Sequence, residues 1–178
     1  MLTDLIVGTG RCGTGFISRI LPDCGHEERF GPDGVKLGRK SREASWLAVP
    51  FLAAMDCKVV HLVRDPLLVY QSLYAQQGLF DDGNVYGKFL GKWMRMFDRH
   101  WNERGWGERV ELFIRTWYTL CSSYPMLKVE DIDERVVENT WGTRPSDIEK
   151  WKGYNSRPRA DVSVPESILE LRKEFNYV

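Results

Sequence analysis

The chain has no surplus of charge of either sign. Its 25 lysines and arginines are matched by 25 aspartates and glutamates. It therefore lacks the basic excess of a general nucleic-acid binder, although a local basic pocket stays possible. It also lacks any run near the roughly 20 apolar residues needed to cross a bilayer. The first apolar stretch runs straight into glycines, which suits a strand and not a secretory leader. The expectation is no membrane span, no nucleic-acid partner and a cytoplasmic location. Cysteine is sparse: Cys12, Cys24, Cys57 and Cys121 form no CxxC pair. Neither zinc nor a thioredoxin-type site is indicated, and scattered thiols suit a reducing compartment. Cys12 falls in a glycine loop. A reactive thiol competes there with a small residue filling a tight turn, and the second is favoured because no base lies nearby in sequence.

What is present is an ordinary globular composition. Hydrophobic residues make up 43% and charged residues 28% of 178 positions, enough for a single domain over residues 1–178 with its own core. Leu5-Ile6-Val7 is a short apolar run closed by Gly8, the pattern of a buried strand. A helix is expected over 13–21, with Phe16, Ile17, Ile20 and Leu21 at helical spacing and Pro22 as its stop. Residues 29–39 hold several glycines and Pro32 and read as loop. Residues 41–55 read as a helix broken near Pro50.

Residues 59–63 form a second continuous apolar run, followed by Arg64-Asp65-Pro66. Pro66 is placed at the first turn of a helix that carries Leu67, Leu68, Tyr70 and Leu73. An amphipathic helix is expected over 86–101. Phe89, Leu90, Trp93, Met96, Phe97 and Trp101 form one face, and Lys88, Lys92, Arg95 and Arg99 another. That basic stripe fits a solvated face better than an anion site. A further helix is expected over 110–122, a third strand over 126–129 followed by Glu130-Asp131, and a last short helix over 165–175. Strands alternating with helices predict an α/β fold, a three-layer α/β/α sandwich with a mostly parallel central sheet. Ligands in such sheets bind at the carboxyl ends of the strands.

The first of those ends carries Gly8-Thr9-Gly10-Arg11-Cys12-Gly13-Thr14-Gly15 and then a helix. Glycines let the backbone turn tightly and collect N–H groups, and the helix start adds partial positive charge, so the loop suits a phosphate or a similar oxyanion. A ligand-free glycine turn is the plain alternative. A Walker A loop places Lys and then Ser or Thr after its last glycine, but here Thr14 and Gly15 stand there. Arg11 is the loop's cation. The second strand end reads R-D-P-x5-S-x-Y, through Arg64, Ser72 and Tyr74. A guanidinium and a hydroxyl two helical turns apart can converge on a second phosphate.

In these two motifs the chain resembles the sulfotransferases that use 3′-phosphoadenosine 5′-phosphosulfate (PAPS). Arg11-Cys12-Gly13-Thr14 matches that family's loop for the 5′-phosphosulfate, and Arg64 through Ser72 matches its strand–helix for the 3′-phosphate. Gly25-His26-Glu27-Glu28, Ser45-Trp46-Leu47 and Lys128-Val129-Glu130-Asp131-Ile132 add to the likeness, which spans roughly residues 3 to 132. Gly15 departs from the commoner second threonine, and the chain is short for the family. The resemblance implies a P-loop NTPase-like sulfotransferase fold with PAPS as co-substrate, PAP as product and no metal requirement. It implies nucleotide contacts from Gly10, Arg11, Cys12, Gly13, Thr14, Gly15, Arg64 and Ser72. Arg11 would stabilise the leaving oxygen, and Glu27 would be the base for a hydroxyl or amine of a small-molecule or glycan acceptor, with Glu28 and His26 as competitors.

Other residues carry two readings each. Asp65 can orient Arg64, or mimic a magnesium-binding acid. Lys152-Gly153 and Arg157 can add a late 3′-phosphate contact, or form an exposed loop. Trp117 and Tyr118 can stack on adenine or acceptor, or belong to the core. His61, inside an apolar strand, is expected to be a core histidine, and His100 a surface one. Two other functions compete with sulfuryl transfer: a P-loop-type small-molecule kinase, and a non-catalytic nucleotide-binding or interaction protein of the same fold.

Overall fold

The computed structural model describes residues 1–26, 30–31, 34–35, 40–152 and 159–177, with backbone alone at 30–31 and 34–35. In chain order it runs β1 (Asp4–Val7), α1 (Thr14–Ile20), β2 (Cys24–Gly25), β3 (Phe30–Gly31), β4 (Gly34–Val35) and β5 (Arg42–Ala44). A 3-10 helix, Trp46–Ala54, leads to β6 (Lys58–Val63), α2 (Pro66–Tyr74) and α3 (Val85–Phe97). Then come α4 (Trp106–Cys121), β7 (Met126–Lys128), α5 (Glu134–Trp141), α6 (Ile148–Trp151) and α7 (Glu166–Glu174). Five strands form one sheet in the order β2-β5-β1-β6-β7, and every pairing in it is parallel. The strands β3 and β4 make a separate antiparallel ribbon.

Strand periodicity sorts the side chains into two cores, because successive residues point to opposite faces. Leu5, Val7, Val59 and Val63 face one way, against the 3-10 helix, α2, α3, α4 and α7. Ile6, Val60 and Leu62 face the other way, against α1, α5 and α6. Helices thus cover both faces, giving three α/β/α layers. Parallel strands buried on both sides need continuous apolar runs, which is why 5–7 and 59–63 could be read directly.

Four expectations are corrected. Residues 41–55 are not one broken helix: Arg42–Ala44 is a strand between β1 and β2, and only then does the chain wind into the 3-10 helix. Pro50 removes an N–H and crowds the preceding turn, so an α-helix there would be interrupted. The segment 29–39 is not all loop, since it contains β3 and β4. The helix expected over 86–101 ends at Phe97, where Asp98 turns to extended backbone (φ −145°). Its Phe89, Leu90 and Met94 are buried, while Met96 and Phe97 lie in a last turn exposed to solvent. Trp101 is buried from a separate 3-10 turn. The stripe of Lys88, Lys92, Arg95 and Arg99 is exposed, as a solvated face should be.

The helix expected over 110–122 starts earlier, at Trp106. Glu108 accepts from the Gly105 N–H at 2.8 Å, and the Trp106 indole donates to the Tyr74 carbonyl at 2.8 Å. Among the described residues, no helix is long and apolar enough to cross a membrane.

Candidate functional site

The chain leaves β1 toward α1 on one face of the sheet and leaves β6 toward α2 on the other. The strands β1 and β6 are neighbours. Their carboxyl ends therefore flank the crevice where helices depart in opposite directions, the place where open α/β sheets hold ligands. Both sequence motifs sit there.

The loop after β1 is tight. A Cβ on Gly8 would stand 2.3 Å from the Leu62 carbonyl oxygen, so only glycine lets β1 run this close to β6. The Cys12 N–H donates to the Thr9 carbonyl at 3.3 Å. Arg11 (φ 73°) and Gly13 (φ 108°) are both left-handed. Gly13 then caps α1, and its carbonyl accepts the first helical bond from the Ile17 N–H at 3.0 Å. The first N–H groups of a helix have no partner within it. Left-handed turns at a helix start gather such groups into an anion-binding concavity. The other side of the loop is also fixed, since Trp46 and Leu73 lie 3.7 Å from the place of a Cβ on Gly10.

The second motif closes on the first. Arg11 Nε donates to Ser72 Oγ at 3.1 Å, and Arg64 Nη1 donates to the Arg11 carbonyl at 3.4 Å. Arg64 and Ser72 come from the end of β6 and from α2, 53 and 61 residues further along the chain. Ser72 is buried, and Arg11 and Arg64 are half-buried. The Arg64 carbonyl accepts from the Tyr118 hydroxyl at 2.7 Å, and its Nε lies 3.9 Å from Glu130 Oε1, just past β7. Gly10, Arg11, Cys12, Gly13, Thr14, Gly15, Arg64 and Ser72 thus share one loop-and-helix cluster.

Three base candidates, His26, Glu27 and Glu28, come directly after β2 in the sequence. Glu27 and Glu28 lie outside the described residues. His26 follows β2, and its Nε2 stands 3.4 Å from Thr14 Oγ1, which brings His26 to the loop. Sequence reasoning passed over Glu43. It is fully buried on β5 beside Gly25, with Oε2 only 2.2 Å from where a glycine Cβ would stand. A lone acid in a mixed segment gives no periodic signal, and only the sheet brings it here.

The other readings divide clearly. Burial pushes the Cys12 thiol up to about 12, which is the chemistry of packing and not of a nucleophile. Trp117 and Tyr118 are core: the Trp117 indole donates to the Trp46 carbonyl at 2.8 Å, and burial drives the Tyr118 phenol well above its ordinary value. Tyr118 nevertheless bears on the site through Arg64, which helical spacing could not reveal. His61 is a core histidine, pushed down to about 4 by burial, with Nε2 lacking a hydrogen-bond partner. His100 is exposed and sits 2.9 Å from Glu103. Lys152 is exposed and pairs with Glu149, and Gly153 and Arg157 lie outside the described residues.

Asp65 is corrected. Its cation is Arg172, whose Nε lies 3.1 and 3.0 Å from the two carboxylate oxygens, and Oδ1 also caps α2 through the Leu67 N–H at 3.0 Å. A comparison with protein-family models finds no match to this chain, and a comparison with curated proteins finds no significant one.

Proposed function

We propose that this chain transfers a sulfuryl group from PAPS to a hydroxyl or amine acceptor. The observation that carries the reading is the meeting of Arg11, Ser72 and Arg64 at one crevice, through bonds of 3.1 and 3.4 Å. A glycine loop alone fits many anions. A loop cation joined to an arginine–serine pair from the neighbouring strand and helix fits a ligand with two separated anionic groups, as PAPS has.

In this reading the N–H groups from Gly13 to Gly15 hold the 5′-phosphate, and Arg64 and Ser72 hold the 3′-phosphate. The acceptor oxygen or nitrogen attacks sulfur while the bond from sulfur to the 5′-phosphate oxygen breaks, leaving PAP. Arg11 stabilises the charge that grows on that oxygen; losing such a donor costs about 10²–10³ in rate. The acceptor proton passes to a base in the stretch 26–28, where Glu27 is assigned and His26, beside Thr14, competes. A positioned base contributes roughly 10²–10⁴. Glu27→Gln abolishing turnover while His26→Ala does not would support the assignment; the reverse would move the role to His26.

The test is calorimetric titration with PAP in EDTA, with 5′-AMP and ADP as controls. Selective PAP binding that Arg64→Ala abolishes, and Ser72→Ala weakens less, is expected. Equal affinity for PAP and 5′-AMP would remove the 3′-phosphate clamp. Magnesium-dependent ATP binding in place of PAP binding would turn the reading to a small-molecule kinase. PAP binding without transfer to any acceptor would leave a nucleotide-binding protein.

A further inference from the structure

Helix α7 packs against α2 and α4, and Ile168 is its fully buried anchor. What it delivers beyond that anchor converges on the residues around Arg64. Arg172 takes both carboxylate oxygens of Asp65, the residue after Arg64. The chain then turns through left-handed Asn176 (φ 55°). This brings the Tyr177 hydroxyl to donate to Glu130 Oε2 at 2.8 Å, while Glu130 Oε1 faces Arg64 Nε. Lys128 secures that turn: Nζ donates to the Asn176 carbonyl at 2.9 Å and lies 4.5 Å from the centre of the Tyr177 ring. Phe175 packs on Tyr118, with ring centres 4.7 Å apart, and Tyr118 donates to the Arg64 carbonyl.

The contacts to Asp65, Glu130 and Tyr118 all end on neighbours of one cation, Arg64. We propose that α7 and residues 175–177 brace the 3′-phosphate clamp, with Arg172 and Tyr177 as positioning residues for Arg64. The inference rests on the reading of Arg64 as a 3′-phosphate contact. Arg172 fixes the strand-to-helix corner from which Arg64 projects. Tyr177 holds the Glu130 carboxylate so that its other oxygen restrains the guanidinium. A rigid guanidinium loses less freedom on meeting a phosphate, so the brace shows as selectivity and not as general affinity.

The experiment measures PAP and 5′-AMP affinity by calorimetry for wild type, Arg64→Ala, Arg172→Ala, Arg172→Lys and Tyr177→Phe, with a melting curve for each. Tyr177→Phe removes one hydroxyl and serves where Arg172→Ala unfolds. PAP affinity is expected to fall roughly tenfold in Arg172→Ala and roughly threefold in Tyr177→Phe, with 5′-AMP affinity unchanged. Arg172→Lys should recover part of the loss. Adding Arg172→Ala to Arg64→Ala should leave the residual affinity for 5′-AMP, and the absence of any PAP preference, as in Arg64→Ala alone, because the brace acts through that residue. Unchanged PAP selectivity in the Arg172 and Tyr177 variants would overturn the inference while the clamp stands. So would equal losses for PAP and 5′-AMP, which mean general loosening. Wild type that prefers neither ligand would remove the clamp itself, and the brace with it.

Discussion

At the scale of single residues, two buried side chains make opposite predictions about reactivity and pH. Cys12 is fully buried at the centre of the loop, and desolvation disfavours its thiolate. A thiol reagent added to native protein is expected to spare Cys12 and to label it only after denaturation. Prompt labelling of native Cys12 would reinstate it as a reactive group. His61 is held neutral among Tyr118 and Phe175, its value moved from 6.5 to about 4 by burial. The unfolded chain therefore binds a proton that the folded chain refuses. The stability His61 contributes is full above about pH 6.5 and is lost progressively as pH falls from there to about 4. The loss is on the order of 3 kcal/mol. Melting curves across that window should drop steeply for wild type and less steeply for His61→Leu; parallel drops would show that other groups carry the acid sensitivity.

At the scale of elements, the loop between β1 and α1 depends on Gly13. Its φ of 108° strains any L side chain, and a Cβ there would lie 2.7 Å from Val129 Cγ2. Gly13→Ala is expected to cost about 1–3 kcal/mol and, on the proposed function, to weaken PAP binding with it. A full-affinity Gly13→Ala variant would mean the loop binds in another conformation. This loop was legible because its glycines, its cation and the flanking apolar strand are contiguous in sequence. So was the second motif, since Arg64, Pro66 and Ser72 span one strand end and two helical turns. The strand β5 was not legible: Arg42-Glu43-Ala44 has no apolar run, and partners on both sides make it a strand. The same holds for β2, whose two residues carry no period. Arg172 lies 107 residues from Asp65, and no local pattern announces a contact at that separation.

At the scale of the molecule, alternation along the chain foretold the three layers, while the strand order came only from packing. That order matters twice. It puts β1 and β6 side by side, so the crevice forms between the two motifs. It also sends the longest strand of the sheet, β6 with six residues, to the interior and leaves β2 with two and β7 with three at the flanks. Flanks this short give a neighbouring molecule almost no ladder to join. The hazard moves to the melted chain, where Val59-Val60-His61-Leu62-Val63, uncharged and rich in branched side chains, comes free. Concentrated native protein is expected to scatter no extra light until the unfolding transition, and then to precipitate without recovery. Scattering that rises well below the transition would mean the folded flanks associate after all. Handling of this protein is therefore governed by how seldom it unfolds, and a ligand that binds only the folded chain would keep its own longest strand covered.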